Sequence, residues 1–422
     1  MTQSLQCQLQ GGDGQHGSSR NCSEWHSTIM NRINQPGFSA PFFIAVLSLI
    51  ISSCAGEGRG TTTPIPLPDP LPPPVINVPN LHLLAPMSMP VGVAVPAGRS
   101  KKSLLRSPGR QTIVNHHFSQ VTAENIMKPR FLHPAETTFF FDNADALVNY
   151  AASQDKTVHG HALIWHSRLP NWMNNFTGNE VALTTMMTDH ITVIASHFAA
   201  GDIVVSWDVV NEAFTDTDHD GDGLNDLRNT IWHDNIGTGY LAVAFRAANV
   251  ADPNADLYYN DYNIAGVPSK LNAVLDLVDQ FQDDSSPVPI HGIGFQMHVS
   301  LTWPDIDQIR ESFARAVDTG LKIKISELDI TVNTDRSRKP LSLTEFTNAV
   351  AVQQQKRFET IVAAYMDEVP AAQRGGISVW GIADLDSWRR SNNAFEWPLL
   401  FDDDLKSKPA LQGFADGLTG GK

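Results

Sequence analysis

The amino-acid sequence predicts an α/β protein, a (β/α)8 barrel, and three observations carry that prediction. From residue 90 onward, short apolar runs of β-type residues alternate with longer stretches of helical spacing, and eight such units in roughly 330 residues suit a closed parallel barrel. Polar and aromatic side chains stand directly after six of those runs, where a barrel gathers its functional groups at the ends of its strands. Hydrophobic residues make up 42% of the 422 residues and charged residues only 18%, below the roughly 25% usual for soluble domains. That balance supplies a large core and excludes a disordered or collagen-like chain.

The elements follow in order. The first β-type run is 91–95, VGVAV, and the second lies around 120–122, opening the stretch VTAENIMKP. A helical stretch at 143–153 leads to the third run, 158–165, which ends in HGHALIWHSRLPNW; the helical stretch 180–199 leads to the fourth, 203–210, ending in WDVVNEAF. Helical spacing at 227–249 precedes the fifth run, 257–260, which ends in YYNDYN, and spacing at 269–281 precedes the sixth, 292–296, which ends in GFQMH. The helical stretch 306–318 separates it from the seventh, 322–327, which ends in ISELDI, and 343–366 precedes the eighth, 376–380, which ends in VWGIADLDSWR. Helices this long between buried-type strands are crossovers between parallel neighbours.

The chain ahead of the barrel differs in kind. Residues 38–51, FSAPFFIAVLSLII, are 14 residues without a charge, shorter than the ~20 a membrane-spanning helix needs and sized for the core of a signal peptide. The following ISSC resembles a bacterial lipoprotein box, which makes Cys54 the expected lipid attachment point, with Arg32 as the positive flank. Met30 is better placed than Met1 to start such a signal, so 1–29 reads as an upstream mis-start or disordered segment and 30–54 as the signal; the alternative is an ordinary secretory signal cut near Ala55. Eight prolines between Pro64 and Pro79 make 55–85 a semi-extended linker, leaving 86–420 as a single barrel domain. The expectation is an exported monomer, an outer-membrane or cell-surface lipoprotein given Ala55 after the cysteine, that meets a membrane only through its lipid.

Charge and cysteine usage narrow the chemistry. The net charge of −15 argues against a nucleic-acid partner, because a protein of this sign releases no counterions from a phosphate backbone. All three cysteines, Cys7, Cys22 and Cys54, fall in the first 54 residues, so neither a disulfide framework nor a cysteine-based zinc site exists beyond them. Glu212 closes the fourth run beside Asn211, and Glu327 closes the seventh. In a barrel these positions face each other across the mouth. Two carboxyl groups about 5–5.5 Å apart suit double displacement at a sugar carbon with retention, one attacking and the other donating and then removing a proton.

The motifs HGHALIWHSRLP, WDVVNEAF, YYNDYN, GFQMH, ISELDI and VWGIADLDSWR, with VTAENIMKP, resemble those of glycoside hydrolase family 10, the endo-β-1,4-xylanases, from about residue 91 to 413. The resemblance implies a retaining (β/α)8 enzyme that needs no cofactor for its chemistry and acts on xylan or xylo-oligosaccharides, with Glu212 as acid/base and Glu327 as nucleophile. It places Glu124, Asn125 and Lys128 on the hydroxyls of the sugar two units from the cut, His161 and Trp165 around the sugar at the cut, and Asn211 on its 2-hydroxyl. Gln296 and His298 share a strand face; His298 resembles the residue that orients the nucleophile, and Asp329 the one that holds that histidine. Trp380 and Trp388 resemble the aromatic walls of the donor side, while Asn260 and Tyr262 are expected on the acceptor side. Trp207 and Trp232 are read as core. One departure stands out: after Lys128 the chain continues Pro-Arg-Phe-Leu-His-Pro where the family carries a Trp-Asp run, which puts the distal donor subsite in question and leaves the chemistry intact.

Directly after NEAF, five aspartates fall within residues 216–226. Asp218, Asp220 and Asp222 alternate, Gly223 allows a sharp turn and Asp226 lies beyond, a hard-oxygen set suited to a structural calcium ion; the twelfth position from Asp218 is Asn229, so the full EF-hand pattern is absent. Three rivals stand beside this reading. A metal-dependent hydrolase would use His159, His161 and His298, but its H-x-H belongs on the first strand, and it has no use for a glutamate pair. A non-catalytic glycan-binding surface lipoprotein would be expected to lack a carboxylate. A related β-1,4-glycanase acting on cellulose or mixed glycans shares the chemistry.

Overall fold

The computed structural model describes residues 78–283, 285–334, 341, 345–393 and 395–420. The expected mis-start, signal segment and Cys54, and most of the proline-rich linker, lie outside the described residues. Within them the fold is a (β/α)8 barrel. Its strands are β1 (Val91–Val95), β2 (Gln120–Ala123), β3 (Thr157–Trp165), β4 (Val204–Asn211), β5 (Asp256–Asp261), β6 (Gly292–Phe295), β7 (His298–Ser300), β8 (Lys322–Thr331) and β9 (Arg374–Val379). Every pairing is parallel, neighbours follow in sequence, β1 joins β9, and β6 pairs with β8 to close the ring. Strand β7 is a short continuation of β6, paired with the end of β8.

All eight expected runs are strands, and the differences fall at the functional rim. The sixth run does not pass through Gln296 unbroken: Met297 takes a left-handed φ of 57°, which splits it into β6 and β7. The seventh does not end at Glu327 but continues to Thr331, with a shift of register against β9 between Ile325 and Leu328. That irregularity re-aims the side chains around Glu327, as bulges beside functional sites do.

The helix expected at 227–249 is two helices, Ile231–Ile236 and Tyr240–Ala251. The Thr230 side chain accepts the His233 N–H and starts the first; Gly237, at φ 82°, ends it. The last long helix runs Asn348–Glu368, started by Thr347 accepting the Val350 N–H, rather than over 343–366; residues 342–344 lie outside the described set. Pro108–His117 and Pro409–Thr419 are helices that the apolar spacing did not single out. Residues 78–85, expected in the linker, pack into the fold, with Leu81 fully buried. Among the described residues, no helix is long and apolar enough to cross a membrane.

Close packing fixes the strand that presents the site. Gly160 of β3 lies opposite Trp207 of β4, and a Cβ on that glycine would sit 2.2 Å from the indole. Trp207 and Trp232 are fully buried, as expected for core residues.

Candidate active site

Glu212 follows β4 with a left-handed φ of 56°, a conformation that costs a non-glycine residue about 1–3 kcal/mol unless its surroundings hold it. They do: its N–H donates to the Asn260 carbonyl at 2.9 Å, so β5 fixes the backbone that presents the carboxylate. Its side chain accepts from Trp165 Nε1 at 3.0 Å, Gln296 Nε2 at 3.0 Å and Asn211 Nδ2 at 3.2 Å.

Glu327 is buried within β8. One carboxylate oxygen accepts from Asn260 Nδ2 at 2.8 Å and the other lies 3.2 Å from His298 Nε2. The same Asn260 amide reaches Asn211 Oδ1 at 2.9 Å, and its Oδ1 accepts from the Ser326 hydroxyl at 2.6 Å. Asn260 is fully buried between the two glutamates. It sits beneath the carboxylates, and the expected place on the acceptor side is corrected: β5 lies between β4 and β6, so a side chain turned inward there meets the carboxylates before it meets a sugar.

His298 is held on both sides. Its Nδ1 lies 3.0 Å from Asp329, which Trp388 Nε1 and Arg389 also reach, at 2.8 and 2.9 Å. Burial alone would lower the His298 pKa, but the Asp329 charge and the hydrogen bonds to Asp329 and Glu327 outweigh it and push it up to about 9. Burial likewise works against ionised Asp329, yet the Arg389 and His298 charges keep it below the usual carboxylate range. The site therefore presents an imidazolium to Glu327 at neutral pH.

Glu124, Asn125 and Lys128 form a second polar group at the end of β2. Asn125 Nδ2 donates to Glu124 at 3.1 Å, and Lys128 Nζ stands 5.1 Å from the Trp165 ring and 5.8 Å from that of Trp380. Burial depresses the Lys128 ammonium, opposed by the Glu327 and Glu124 charges, and burial raises Glu124, opposed by Lys128. Trp380 is buried and Trp388 is 43% exposed, so only the second offers an open aromatic face. Tyr262 accepts from Arg228 at 3.0 Å and lies beneath Lys270 Nζ, 3.5 Å from its ring centre.

His161 Nδ1 lies 2.7 Å from Asp208, and His159 Nε2 lies 3.1 Å from the other oxygen of that carboxylate. Burial opposes the charge on Asp208, but the two imidazoles outweigh it and hold the group below the usual carboxylate range. Asp208 and Arg389 were not singled out from the sequence. Asp208 is an acid inside an apolar run, opposite His161 in register, and that interruption was the available signal; Arg389 adjoins Trp388 within a motif already in view.

In the acidic loop, carboxylate oxygens of Asp218, Asp220 and Asp222 lie within 4.8 Å of one another. Asp218 accepts the N–H groups of Gly221 and Gly223 at 2.7 and 3.0 Å. The expected fourth ligand, Asp226, is turned elsewhere: it accepts from the His219 N–H at 2.9 Å and lies 2.6 Å from the His219 ring. The structure thus brings three of the four together.

Known proteins are similar to this chain in sequence and in fold. The family model for glycosyl hydrolase family 10 matches residues 81–417. The chain is similar to an endo-β-1,4-xylanase, Xyn10C of Cellvibrio japonicus, at 42% identity over 356 residues, which cover 82% of this chain and 58% of the relative. It is equally similar to endo-1,4-β-xylanase A of Cellvibrio japonicus, at 42% identity over 348 residues, 78% of this chain and 55% of that one. The chain thus spans little more than half the length of these relatives. A solved structure of a variant of xylanase 10C from the same organism, in complex with xylopentaose, matches with a TM-score of 0.77 and 41% identity, over 82% of this chain and 70% of the other.

Proposed function

The chain belongs to glycosyl hydrolase family 10, and from that premise we propose that it is an endo-1,4-β-xylanase cutting internal bonds of xylan by retaining double displacement. Glu327 attacks the anomeric carbon while Glu212 protonates the leaving oxygen; Glu212 then takes a proton from the water that releases the glycosyl group. The observation that carries the reading is the unlike setting of the two carboxylates. Glu327 has an imidazolium 3.2 Å away, which balances the charge a nucleophile must bring. Glu212 borders the mouth with an indole N–H on its carboxylate. Lys128, Glu124 and Asn125 bind donor-side hydroxyls, and Trp388 supplies a stacking face.

The test is reducing-sugar release from xylan, carboxymethyl cellulose and mannan side by side. Xylan turned over at least tenfold faster than the others supports the reading; a preference for cellulose transfers it to the related β-1,4-glycanase activity. Glu327→Ala should lower hydrolysis by ~10^4-fold or more. Glu212→Ala should retain the first step on substrates with good leaving groups and regain turnover with azide, giving a β-glycosyl azide, and an α product overturns retention.

Two further readings belong here. Asp218, Asp220 and Asp222 are proposed to hold a calcium ion that stiffens the loop after Glu212 and takes no part in the chemistry. Supporting this, the turn at Gly221 and Gly223 already gathers three carboxylates. EDTA should lower the melting temperature by a few degrees, with calcium restoring it, and an unchanged melt ends the idea. The chain is also proposed to be exported as a monomer and anchored through a lipid on Cys54, facing out from an outer membrane or cell surface. Labelled fatty acid should then enter the protein and be lost in Cys54→Ser; equal labelling of both excludes it.

A further inference from the structure

The donor side of the site opens into a cavity of about 650 Å³ whose wall includes Glu124 and Asn125 and, beyond them, Arg99, Lys102, Arg130 and Phe131. Two short stretches of the chain supply its cations. Arg130 and Phe131 belong to the Pro-Arg-Phe-Leu-His-Pro stretch that follows Lys128. Arg99 and Lys102 belong to a segment with five cations between Arg99 and Arg110, and no acid falls between Ala97 and Ala123. On a chain of net charge −15, so basic a wall runs against the general field.

Two acids share the cavity with these three cations. Asp386 is held by Arg110 through two contacts of 2.7 and 3.1 Å. Glu124 is hydrogen-bonded by Asn125, and the charges of Lys128 and, more weakly, Lys102 oppose the rise that burial causes in it. Among the described residues, no carboxylate forms an ion pair with Arg99, Lys102 or Arg130; Lys102 donates only to the Leu385 carbonyl. Phe131 and Phe140, 41% and 36% exposed, add apolar faces of the kind on which pyranose rings stack. Aromatic faces with unpaired guanidinium groups fit a sugar that carries a carboxylate, because the planar guanidinium fork matches a carboxylate bidentately.

We propose that this cavity is a subsite for a uronic acid carried as a branch on the xylan chain, with Arg99 and Arg130 taking its carboxylate, Lys102 adding charge and Phe131 lying against the ring. The inference rests on the xylanase reading and names the decoration that its donor side prefers. Xylan without acidic branches fills the same cleft but leaves the cations to water. Because the contacts are partly exposed, salt weakens the preference.

The experiment compares a glucuronoxylan with the same polymer after its carboxyl groups have been reduced to alcohols. At low salt, kcat/KM should be about fivefold higher on the acidic polymer, and the ratio should fall toward one in 0.5 M sodium chloride. In Arg99→Ala/Arg130→Ala the ratio should already be near one, whereas Phe131→Ala should slow both polymers and keep the ratio. A wild-type ratio of one, or one that survives loss of both arginines, overturns the proposal. Binding of the two polymers to Glu327→Ala, which needs no turnover, keeps the two readings apart. A preference for the acidic polymer in binding, without hydrolysis of either by the wild type, supports the subsite while ending the xylanase reading. Equal binding alongside rapid hydrolysis does the reverse.

Discussion

Asn260 shows how much of the site depends on single side chains placed below the surface. Its carbonyl fixes the strained backbone of Glu212, and its amide touches both Glu327 and Asn211, so one residue sets both reacting carboxylates. The sequence located Asn260 at a strand end but gave no sign of which way the side chain turns; its full burial only follows from the neighbours on β4 and β6. The paired histidine was legible only in part: strand alternation puts a residue two positions after Gln296 on its face, but the left-handed Met297 breaks the strand between Gln296 and His298, and what His298 meets is Glu327 and Asp329. His298 also makes the site sensitive to pH. Its folded pKa of about 9 lies above the roughly 6.5 of an unfolded histidine, so protonation favours the folded state. The stabilisation is full below about pH 6.5 and is lost as pH rises through about 9, on the order of 3 kcal/mol. Urea midpoints between pH 6 and 10 should fall more steeply for the wild type than for His298→Asn; parallel curves would mean that Asp329 and Glu327 do not hold the proton.

The strands were legible because a barrel buries both faces of each one, which makes them continuous apolar runs between turn residues. What escaped was the irregularity that makes them useful. A break at Met297 and a shift beside Glu327 leave no mark on hydrophobicity: apolar Met297 between polar Gln296 and His298 reads as ordinary strand alternation, and the shift falls between apolar Ile325 and Leu328. They arise where the backbone must turn His298 and Glu327 toward a shared point instead of alternating them. Glycines enter for a similar reason. Gly294 leaves room for Asn260, whose Oδ1 would lie 2.3 Å from an added Cβ, so a residue of β6 without a side chain permits the amide that orders the site. Gly160 does the same for Trp207 across β3 and β4, and the H-G-H spacing read as chemistry is equally a packing requirement. The helix over 227–249 was misread as continuous because its apolar spacing persists through Gly237, while Thr230 as a cap and that glycine as a stop were both present in the sequence.

At the scale of the whole molecule, the barrel was readable from its repeat and its rim motifs, whereas its edge was not. The linker was expected to reach residue 85 because prolines dominate up to Pro79, and four apolar residues after them carry no periodicity. In the fold, Leu81 is fully buried and Val78 and Ala85 nearly so, and the short helix Leu81–Leu84 lies against Pro409–Thr419 and Pro108–His117. Neither of those helices was singled out in the sequence either, so three segments missed one by one account for each other: each finds its apolar partner only once the chain has closed. Closure makes the segment a structural part of the catalytic domain. Burying a leucine contributes roughly 1.5–3 kcal/mol and a valine somewhat less. A chain starting at residue 86 should therefore be about 3–5 kcal/mol less stable than one starting at 78, a difference of several degrees in melting temperature for a domain of this size. Leu81→Ala in the longer chain should reproduce about 2–3 kcal/mol of that loss. Equal melting of the two truncations would return residues 78–85 to the linker and leave the burial of Leu81 without energetic weight.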